Sequence, residues 1–318
     1  MLRKRHKHFY LVDQKQSFHA RIKDKITGSR PVPSFPEDVQ IQTVTGCNAS
    51  CAFCPNGKTC RQLPSGSMDS SLFRKIIDEC LQNPVKRISP YLMNEPLRDR
   101  NLPEKIRYIA ERKPPGLSIK INTNASLLTA KTARAIIGSN LDRLNISFHG
   151  ISKETYERSM QGLRYEQVLS NINTFLETKS MMGADRPAVA VTMVKTTLIE
   201  PEIQRIRQYW DDKGVEVHIQ PLENRTARSI TEKGLNTGTW HPHRWCKRLF
   251  TQAYILHSGD MVLCCADWEQ TTILGNVRNM SIEEVWNGEK ARAVRQRFLS
   301  GDTEGLPCHS CLKQRRNS

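Results

Sequence analysis

Residues 45–54 read TGCNASCAFC and contain three cysteines in the spacing C-x3-C-x2-C. They follow directly on an apolar segment that predicts a β-strand over residues 39–45. Three thiolates on one loop can hold a metal centre. A structural zinc site takes four ligands, whereas an iron–sulfur cluster held by three thiolates keeps one iron open. Cys60 offers a fourth thiolate, so the spacing alone leaves both kinds of centre open.

Short apolar segments alternate with amphipathic ones from Val39 onward. Leu72, Ile76 and Cys80 lie on one helical stripe within residues 71–81, and residues 165–179 show the same periodicity. The predicted strands are residues 39–45, 87–92, 117–122, 143–148, 188–194 and 215–221. This alternation predicts the α/β class, with a parallel sheet curled into a partial TIM-like (β/α)6 barrel. The reactive groups of such folds lie at the carboxyl ends of the strands.

The chain divides by composition into three parts. We predict a basic N-terminal arm over residues 1–38, the partial barrel over residues 39–228 and a small cysteine-rich α+β module over residues 229–318. Within the module, residues 253–257 and 261–265 predict a hairpin, and the capping box that begins at Ser281 opens a helix. We expect this module to need a metal centre for its stability, because it is too short for a large apolar core.

Charge and composition exclude several classes of protein. Lys and Arg number 48 against 32 Asp and Glu, a formal charge of +16, but nine of these cations lie within residues 1–30. The body therefore has no sustained basic stripe, and nucleic acid is not the expected partner. The sequence has neither an apolar run of membrane-spanning length nor a secretory signal. We expect a cytoplasmic protein in which ten cysteines indicate metal or redox chemistry.

The first cysteine motif, C-x3-C-x-aromatic-C after the first strand, resembles that of the radical SAM superfamily. The resemblance implies that Cys47, Cys51 and Cys54 hold a [4Fe–4S] cluster whose open iron binds S-adenosyl-L-methionine (SAM). Reductive cleavage of SAM then gives a 5′-deoxyadenosyl radical that abstracts hydrogen from the substrate. The same resemblance places Phe53 near the adenine. A low-potential cluster with an open iron agrees with one-electron chemistry on a cofactor.

The ends of three further strands strengthen the resemblance. Residues 91–96, YLMNEP, keep the Glu-Pro of the family's Gly-Gly-Glu-Pro stretch but neither glycine. The resemblance assigns the methionyl ammonium to this stretch and the ribose or carboxylate to the next two strand ends. His149, in the fourth strand end, is predicted to line the substrate and to take part in catalysis. The predicted SAM-binding residues are Phe53, Glu95, Asn122, Asn124 and Ser147.

A second set of cysteines lies in the C-terminal module. Its spacing, with G-x4-C at residues 259–264 and C-x2-C at residues 308–311, resembles the auxiliary-cluster extension called SPASM in its shortened form, twitch. Four thiolates fit an auxiliary [4Fe–4S] cluster, although structural zinc takes the same set. The predicted ligands are Cys246, Cys264, Cys308 and Cys311.

Cys265 and Asp267 complete the candidate site. Because successive residues of a strand point to opposite faces, we expect Cys264 to face the cluster and Cys265 to face away from it. Cys265 is then either a small buried hydrophobe or a hydrogen-atom donor to the substrate. Asp267 is a candidate base for a substrate hydroxyl.

Two outcomes follow from the chemistry that the resemblance implies. An auxiliary cluster that oxidises a substrate radical gives dehydrogenation, as in aminocyclitol dehydrogenases, whereas hydrogen return from Cys265 gives epimerisation. The expected partners are a small polar, carbohydrate-like or aminoglycoside-like substrate and a reductant such as flavodoxin or ferredoxin. One alternative is a peptide maturase that uses a separate leader-recognition protein, since the residues before Val39 are few for a leader-binding domain. A remote alternative is a zinc-stabilised nucleic-acid-binding protein, for which the basic ends argue.

Overall fold

The computed structural model describes residues 32–56, 62–222, 234–235 and 246–313. The described residues from Ser34 onward belong to one compact unit. Most of the predicted basic arm and Cys60 lie outside the described residues. In the described part of the chain, no helix is both long and apolar enough to cross a membrane. The boundary predicted between residues 228 and 229 stays a prediction.

One sheet runs through the described part of the chain, with its strands in the order β6-β5-β4-β3-β2-β1-β7-β8-β9. Neighbouring strands are parallel from β6 through to β7, and the β7–β8 and β8–β9 pairs are antiparallel. The parallel sheet and the partial barrel are thus confirmed. The strands are β1 Asp38–Ile41, β2 Arg87–Ser89, β3 Ser118–Thr123, β4 Arg143–Ser147, β5 Ala188–Lys195, β6 Glu216–Pro221, β7 Gln252–Ile255, β8 Asp260–Val262 and β9 Ile273–Asn276.

The helices lie largely between successive strands, as the alternation predicts. They are α1 Ser70–Leu81, α2 Leu102–Ala110, α3 Ala130–Ile137, α4 Lys153–Ser159, α5 Tyr165–Met181, α6 Ile203–Asp211, α7 Lys247–Thr251, α8 Ile282–Trp286, α9 Glu289–Ser300 and α10 Cys308–Lys313. Ser281 caps α8 in the predicted capping box, because its side chain accepts from Glu284 N–H while the Glu284 carboxylate accepts from Ser281 N–H.

Alternation along the strands separates the two faces of the sheet. Ile119 and Ile121 of β3 and Leu144 and Ile146 of β4 belong to the apolar core, together with apolar side chains of the helices. The residues between them therefore point to the opposite face, which we call the inner face. The inner face carries Asp38, Gln40, Arg87, Ser89, Lys120, Asn122, Arg143, Asn145, Ser147 and Tyr254.

The C-terminal hairpin differs from the prediction in two respects. Its first strand, β7, pairs with β1 of the main sheet, a neighbour that was not predicted. Its second strand, β8, ends at Val262, so Cys264 and Cys265 do not lie on a strand. The alternation argument that assigned them to opposite faces was therefore wrong. The sequence also gave no prediction for β9, where a Cβ on Gly275 would lie 3.0 Å from the Val285 side chain of α8.

Candidate functional site

The loop of the first three cysteines follows β1 and is attached to the turn after α4. Ser50 N–H donates to the Gln161 carbonyl at 2.8 Å, and Ala52 N–H donates to the Ser159 carbonyl at 3.1 Å. Gly46, before the first cysteine, has a φ of +80°, a left-handed conformation that glycine adopts without strain. The loop therefore has a fixed path against the barrel before any cofactor is considered.

The three thiols of this loop lie close together and are half-buried. Burial raises the pKa of Cys47 and Cys51, and for Cys51 the neighbouring Cys54 and Cys47 raise it further. Met160 contributes its sulfur 3.5 Å from the Cys51 thiol. Protein groups alone thus disfavour the thiolates that iron binds, whereas bound metal cations would favour them. The donor set fits a cluster with three protein ligands.

Glu95 connects the ends of β2 and β3 beside this loop. It is only 2% exposed, and burial raises the pKa of its carboxyl group. Oε1 accepts from the Thr123 hydroxyl at 2.6 Å and from Leu97 N–H at 3.1 Å, and Oε2 accepts from Asn124 N–H at 2.8 Å. A carboxylate has about four acceptor positions, so one remains for a further donor such as an ammonium group.

A network of amides joins the end of β3 to the first cysteine. The Asn124 side chain donates to Asn48 Oδ1 at 3.0 Å and lies 3.8 Å from Cys47 Sγ. Asn48 in turn donates to the Ser126 hydroxyl at 2.7 Å. Asn122 lies on the inner face, and its buried Oδ1 has no hydrogen-bond partner within the described structure. A buried acceptor without a partner is costly and fits the predicted contact with a cofactor hydroxyl.

His149 packs against Phe53 just beyond the end of β4. The two ring centroids are 4.7 Å apart, and His149 Nδ1 accepts from Val194 N–H at 3.0 Å. Burial lowers the pKa of His149 to about 3, so the ring is neutral near pH 7. Its proton is then on Nε2, which makes this nitrogen a hydrogen-bond donor rather than a base. Ser147 ends β4 two residues before His149 and stands in register with Thr192.

The cysteines of the second set lie around a small apolar cluster of their own. Cys246, Cys264 and Cys308 pack against a group that includes Leu249 and Phe298. Burial raises the pKa of Cys308 to about 12, and the nearby Cys246 and Cys311 contribute to this rise. Cys246 also raises the pKa of Cys264, so these effects link all four predicted ligands.

Cys265 lies next to Cys264 rather than on an opposite face. A hydrogen bond from Cys265 is the largest cause that raises the pKa of the Cys264 thiol, followed by burial. Cys265 also packs with Met93 against an apolar group that includes Leu92 and Tyr254. Because Tyr254 lies on the inner face, Cys265 lies beside that face, and Leu92 of the same group is three residues before Glu95 along the chain.

Asp267 is buried in the turn after Cys264. Its Oδ1 accepts from the N–H and the hydroxyl of Thr271, and its Oδ2 accepts from Thr272 N–H, all at 3.0 Å. Asp267 N–H donates to the Cys264 carbonyl at 3.0 Å. Both carboxylate oxygens thus hold the turn in shape, and this geometry argues against the predicted role as a base.

The structure adds a residue that motif spacing could not indicate. Arg248 lies in α7, two residues after Cys246, and is half-buried beside the second set of cysteines. Burial acts to lower its pKa, but the neighbouring Cys265, Tyr254 and Cys264 hold the pKa above its usual value. A fixed positive charge next to these thiols favours their ionised form. The sequence offered one indication of this role, because Arg248 lies only two residues after the predicted ligand Cys246.

A small pocket lies where the loops of the two cysteine sets approach each other. It is lined by Thr45 and Gly46 of the first loop, by Trp268 and Gln270 of the second loop, and by Met93. Met93 and Gln270 have φ values of 52° and 56°. Such strained backbone persists only where the surrounding structure enforces it, and it often occurs at ligand sites.

Two family models match the chain in the regions that the geometry singles out. The radical SAM superfamily model matches residues 41–181, and the SPASM iron–sulfur cluster-binding domain model matches residues 246–312. The chain is therefore a radical SAM protein with a C-terminal SPASM domain, and these domains bind SAM and [4Fe–4S] clusters.

Individual relatives share much of the length of the chain at low identity. A SAM-dependent 2-deoxy-scyllo-inosamine dehydrogenase of Niallia circulans is 21% identical over 264 residues, which are 83% of this chain and 87% of that protein. The crystal structure of BtrN in complex with AdoMet and 2-DOIA matches with a TM-score of 0.58 at 17% identity, over 85% of this chain and 90% of BtrN. Streptococcus suis SuiB bound to its precursor peptide SuiA matches with a TM-score of 0.68 at 16% identity, over 86% of this chain and 70% of SuiB. At these identities the structural matches show the fold alone.

Proposed function

We propose that this radical SAM enzyme dehydrogenates a hydroxyl-bearing carbon of a small polar substrate. Cys47, Cys51 and Cys54 would hold the cluster that binds SAM. The auxiliary cluster would be held by Cys246, Cys264, Cys308 and Cys311. The bound cofactors supply a 5′-deoxyadenosyl radical for hydrogen abstraction and a one-electron acceptor for the product side of the reaction. Glu95, Asn122, Asn124, Ser147 and Phe53 would bind SAM.

The observation that carries this proposal is the shared neighbourhood of the two cysteine sets. The nearby charge of Glu95 raises the pKa of Cys47 in the first set. Leu92 lies three residues before Glu95 and belongs to the apolar group that Cys265 packs against. A substrate bound where these residues approach each other would therefore lie near both clusters. The relative from Niallia circulans, matched over most of its length, supports an alcohol dehydrogenation of an aminocyclitol-like compound.

His149 and Cys265 would then act on the substrate side. His149 Nε2–H would donate a hydrogen bond and keep its proton, because Nδ1 is occupied by Val194 N–H. Cys265 would line the inner face, and hydrogen donation by its thiol would convert the outcome into epimerisation. We expect the reductant to be a flavodoxin or a ferredoxin.

Iron content and product analysis test this proposal. The anaerobically reconstituted protein should contain about eight irons per chain, and Cys246→Ala should lower this to about four. With strong reductant, 5′-deoxyadenosine should form in wild type and not in Cys51→Ala. An oxidised product without solvent deuterium supports dehydrogenation, whereas deuterium that is lost in Cys265→Ala supports epimerisation. Unchanged iron content in Cys246→Ala would remove the auxiliary cluster from the proposal.

A peptide maturase is a second candidate, because the match to SuiB covers 86% of this chain. A maturase would form 5′-deoxyadenosine at a substrate-dependent rate only with a peptide and its recognition protein. Stimulation by small polyols without any peptide would decide for the dehydrogenase.

A further inference from the structure

We infer that the buried hydroxyl groups of Tyr156 and Ser159 donate hydrogen bonds to the iron–sulfur cluster at Cys51 and raise its reduction potential. This inference rests on the proposed function, because it takes Cys51 as a ligand of the cluster that binds SAM, which we call the first cluster. The acceptors would be the Cys51 thiolate or a sulfide of the cluster next to it. The C-x3-C-x2-C motif contains neither of the two donors.

Backbone hydrogen bonds hold the first loop against α4 on both sides of Cys51. Ser50 N–H donates to the Gln161 carbonyl at 2.8 Å, and Ala52 N–H donates to the Ser159 carbonyl at 3.1 Å. The first bond lies just before Cys51 in the chain and the second just after it. Cys51 is therefore fixed beside the C-terminal end of this helix.

The side chains of the same helix end lie close to the Cys51 thiol. Tyr156 and Ser159 are three residues apart in α4 and therefore share one helix face. Met160, the C-cap residue, places its sulfur 3.5 Å from the Cys51 thiol. Burial raises the pKa of Tyr156, and the neighbouring Cys51 raises it further. The phenol thus lies within electrostatic range of Cys51, and it keeps its proton and remains a donor.

Both hydroxyl groups are buried without a hydrogen bond. Tyr156 and Ser159 are each 0% exposed, and neither hydroxyl has a hydrogen-bond partner in the described part of the chain. A serine in a helix can donate to a carbonyl one turn earlier, but Ser159 makes no such bond there. Buried polar groups without partners cost stability and are rare. Two of them on one helix face indicate an acceptor that the described polypeptide does not supply.

A cluster bound at Cys51 would be that acceptor. Hydrogen bonds to its sulfur atoms are among the factors that set the reduction potential of an iron–sulfur cluster. One-electron reduction adds negative charge to the cluster, so a hydrogen-bond donor stabilises the reduced form more than the oxidised form. The two hydroxyls would therefore raise the potential. A buried water molecule would satisfy the same hydroxyls without this effect on the potential.

Potentiometric titration of the cluster-loaded protein tests the inference without any turnover. The anaerobically reconstituted protein is poised at a series of potentials, and EPR follows the cluster whose signal changes when SAM is added, which identifies the first cluster. We expect Tyr156→Phe and Ser159→Ala each to lower the equilibrium constant for one-electron reduction about tenfold, which makes the potential about 59 mV more negative. Pulsed EPR of the reduced wild type in D2O should show a coupled deuteron that Tyr156→Phe loses.

Two control variants remove hydroxyls of the same kinds that already have partners. Tyr165→Phe alters a tyrosine whose ring packs against that of Tyr156 and whose hydroxyl donates to the Ile151 carbonyl at 2.7 Å. Ser139→Ala alters a buried serine that donates to the Ile136 carbonyl at 2.7 Å. Both controls should leave the potential of the first cluster unchanged, although each loses a hydrogen bond.

Two results would overturn the inference. Wild-type potentials in both Tyr156→Phe and Ser159→Ala would assign the hydroxyls to a buried water. An equal shift in Tyr165→Phe would show that the potential follows the packing of the aromatic side chains rather than a hydrogen bond to the cluster. The iron content of Cys51→Ala is measured separately, so that failure of the proposed ligation is distinguishable from failure of the two hydrogen bonds.

Discussion

Replacement of Glu95 tests how the candidate SAM site is built. The carboxylate is buried and accepts from the Thr123 hydroxyl and from the N–H groups of Leu97 and Asn124. Glu95→Ala leaves two buried backbone donors without an acceptor, each at a cost of about 1–3 kcal/mol. With the lost hydroxyl bond, we expect the free energy of unfolding to fall by about 3–5 kcal/mol.

Glu95→Gln separates the structural role of the side chain from its charge. The amide retains one oxygen, so the expected loss of stability is only about 1–3 kcal/mol. The lost negative charge should matter more for SAM, since a charge-assisted hydrogen bond to an ammonium contributes about 1.5–3 kcal/mol, or roughly 10- to 100-fold in affinity.

The assay combines urea denaturation with equilibrium binding of SAM to the anaerobic protein. Glu111→Ala is the control, because this exposed carboxylate pairs with Arg112 on the surface and should change stability by less than about 0.5 kcal/mol. If Glu95→Gln binds SAM as tightly as wild type while Glu95→Ala is destabilised, Glu95 holds the strand ends together and does not bind the cofactor.

Three further predictions follow from particular contacts. The pKa of His149 is near 6.5 in the unfolded chain and about 3 in the folded chain, so the free energy of unfolding is highest above pH 6.5 and falls as the pH drops below it. The loss at pH 5.5 is about 1.4 kcal/mol. Denaturation curves at pH 7.5 and 5.5 should show this loss in wild type and not in His149→Gln. Gly150→Ala should lower the free energy of unfolding by about 2–4 kcal/mol, because φ is +127° and the new Cβ would lie 2.7 Å from a backbone nitrogen. Gly183→Ala, with φ +58° and open space around the new Cβ, should cost about 1 kcal/mol. Equal melting temperatures for the two variants would contradict this difference. Asp267→Asn should lower stability by about 1–3 kcal/mol, since its amide would face Thr272 N–H; a variant as stable as wild type but inactive would instead restore the role of Asp267 as a base.

Periodicity was sufficient to predict the parallel part of the fold. The six strands from 39–45 to 215–221 and the helix over residues 165–179 agree with the structure within a few residues, because buried strands and amphipathic helices have strong local signals. The second neighbour of β1 in the sheet, strand β7, was not predictable. Strand β7 lies more than 200 residues away along the chain, and nothing local in its four residues indicates which strand it pairs with.

The cysteine spacing indicated where the candidate site lies, but it could not predict the contacts that support the cysteine loops. Asn48 of the first cysteine loop joins Asn124 and Ser126, which follow β3, through side chains from two distant segments, which no single motif contains. Arg248 became significant only once α7 placed it beside Cys264. The error at Cys264 and Cys265 has the same origin, because the rule of alternation was applied two residues beyond the end of the strand.

The polar inner face links these observations to the choice of substrate. In the described structure it carries a buried Asn122 oxygen without a hydrogen-bond partner, and Cys265 packs beside Tyr254 on the same face. A buried acceptor without a partner costs free energy, so a bound molecule that donates a hydrogen bond to Asn122 would recover part of that cost. The radical chemistry is common to the family, whereas the polar side chains of this face would select the molecule on which it acts.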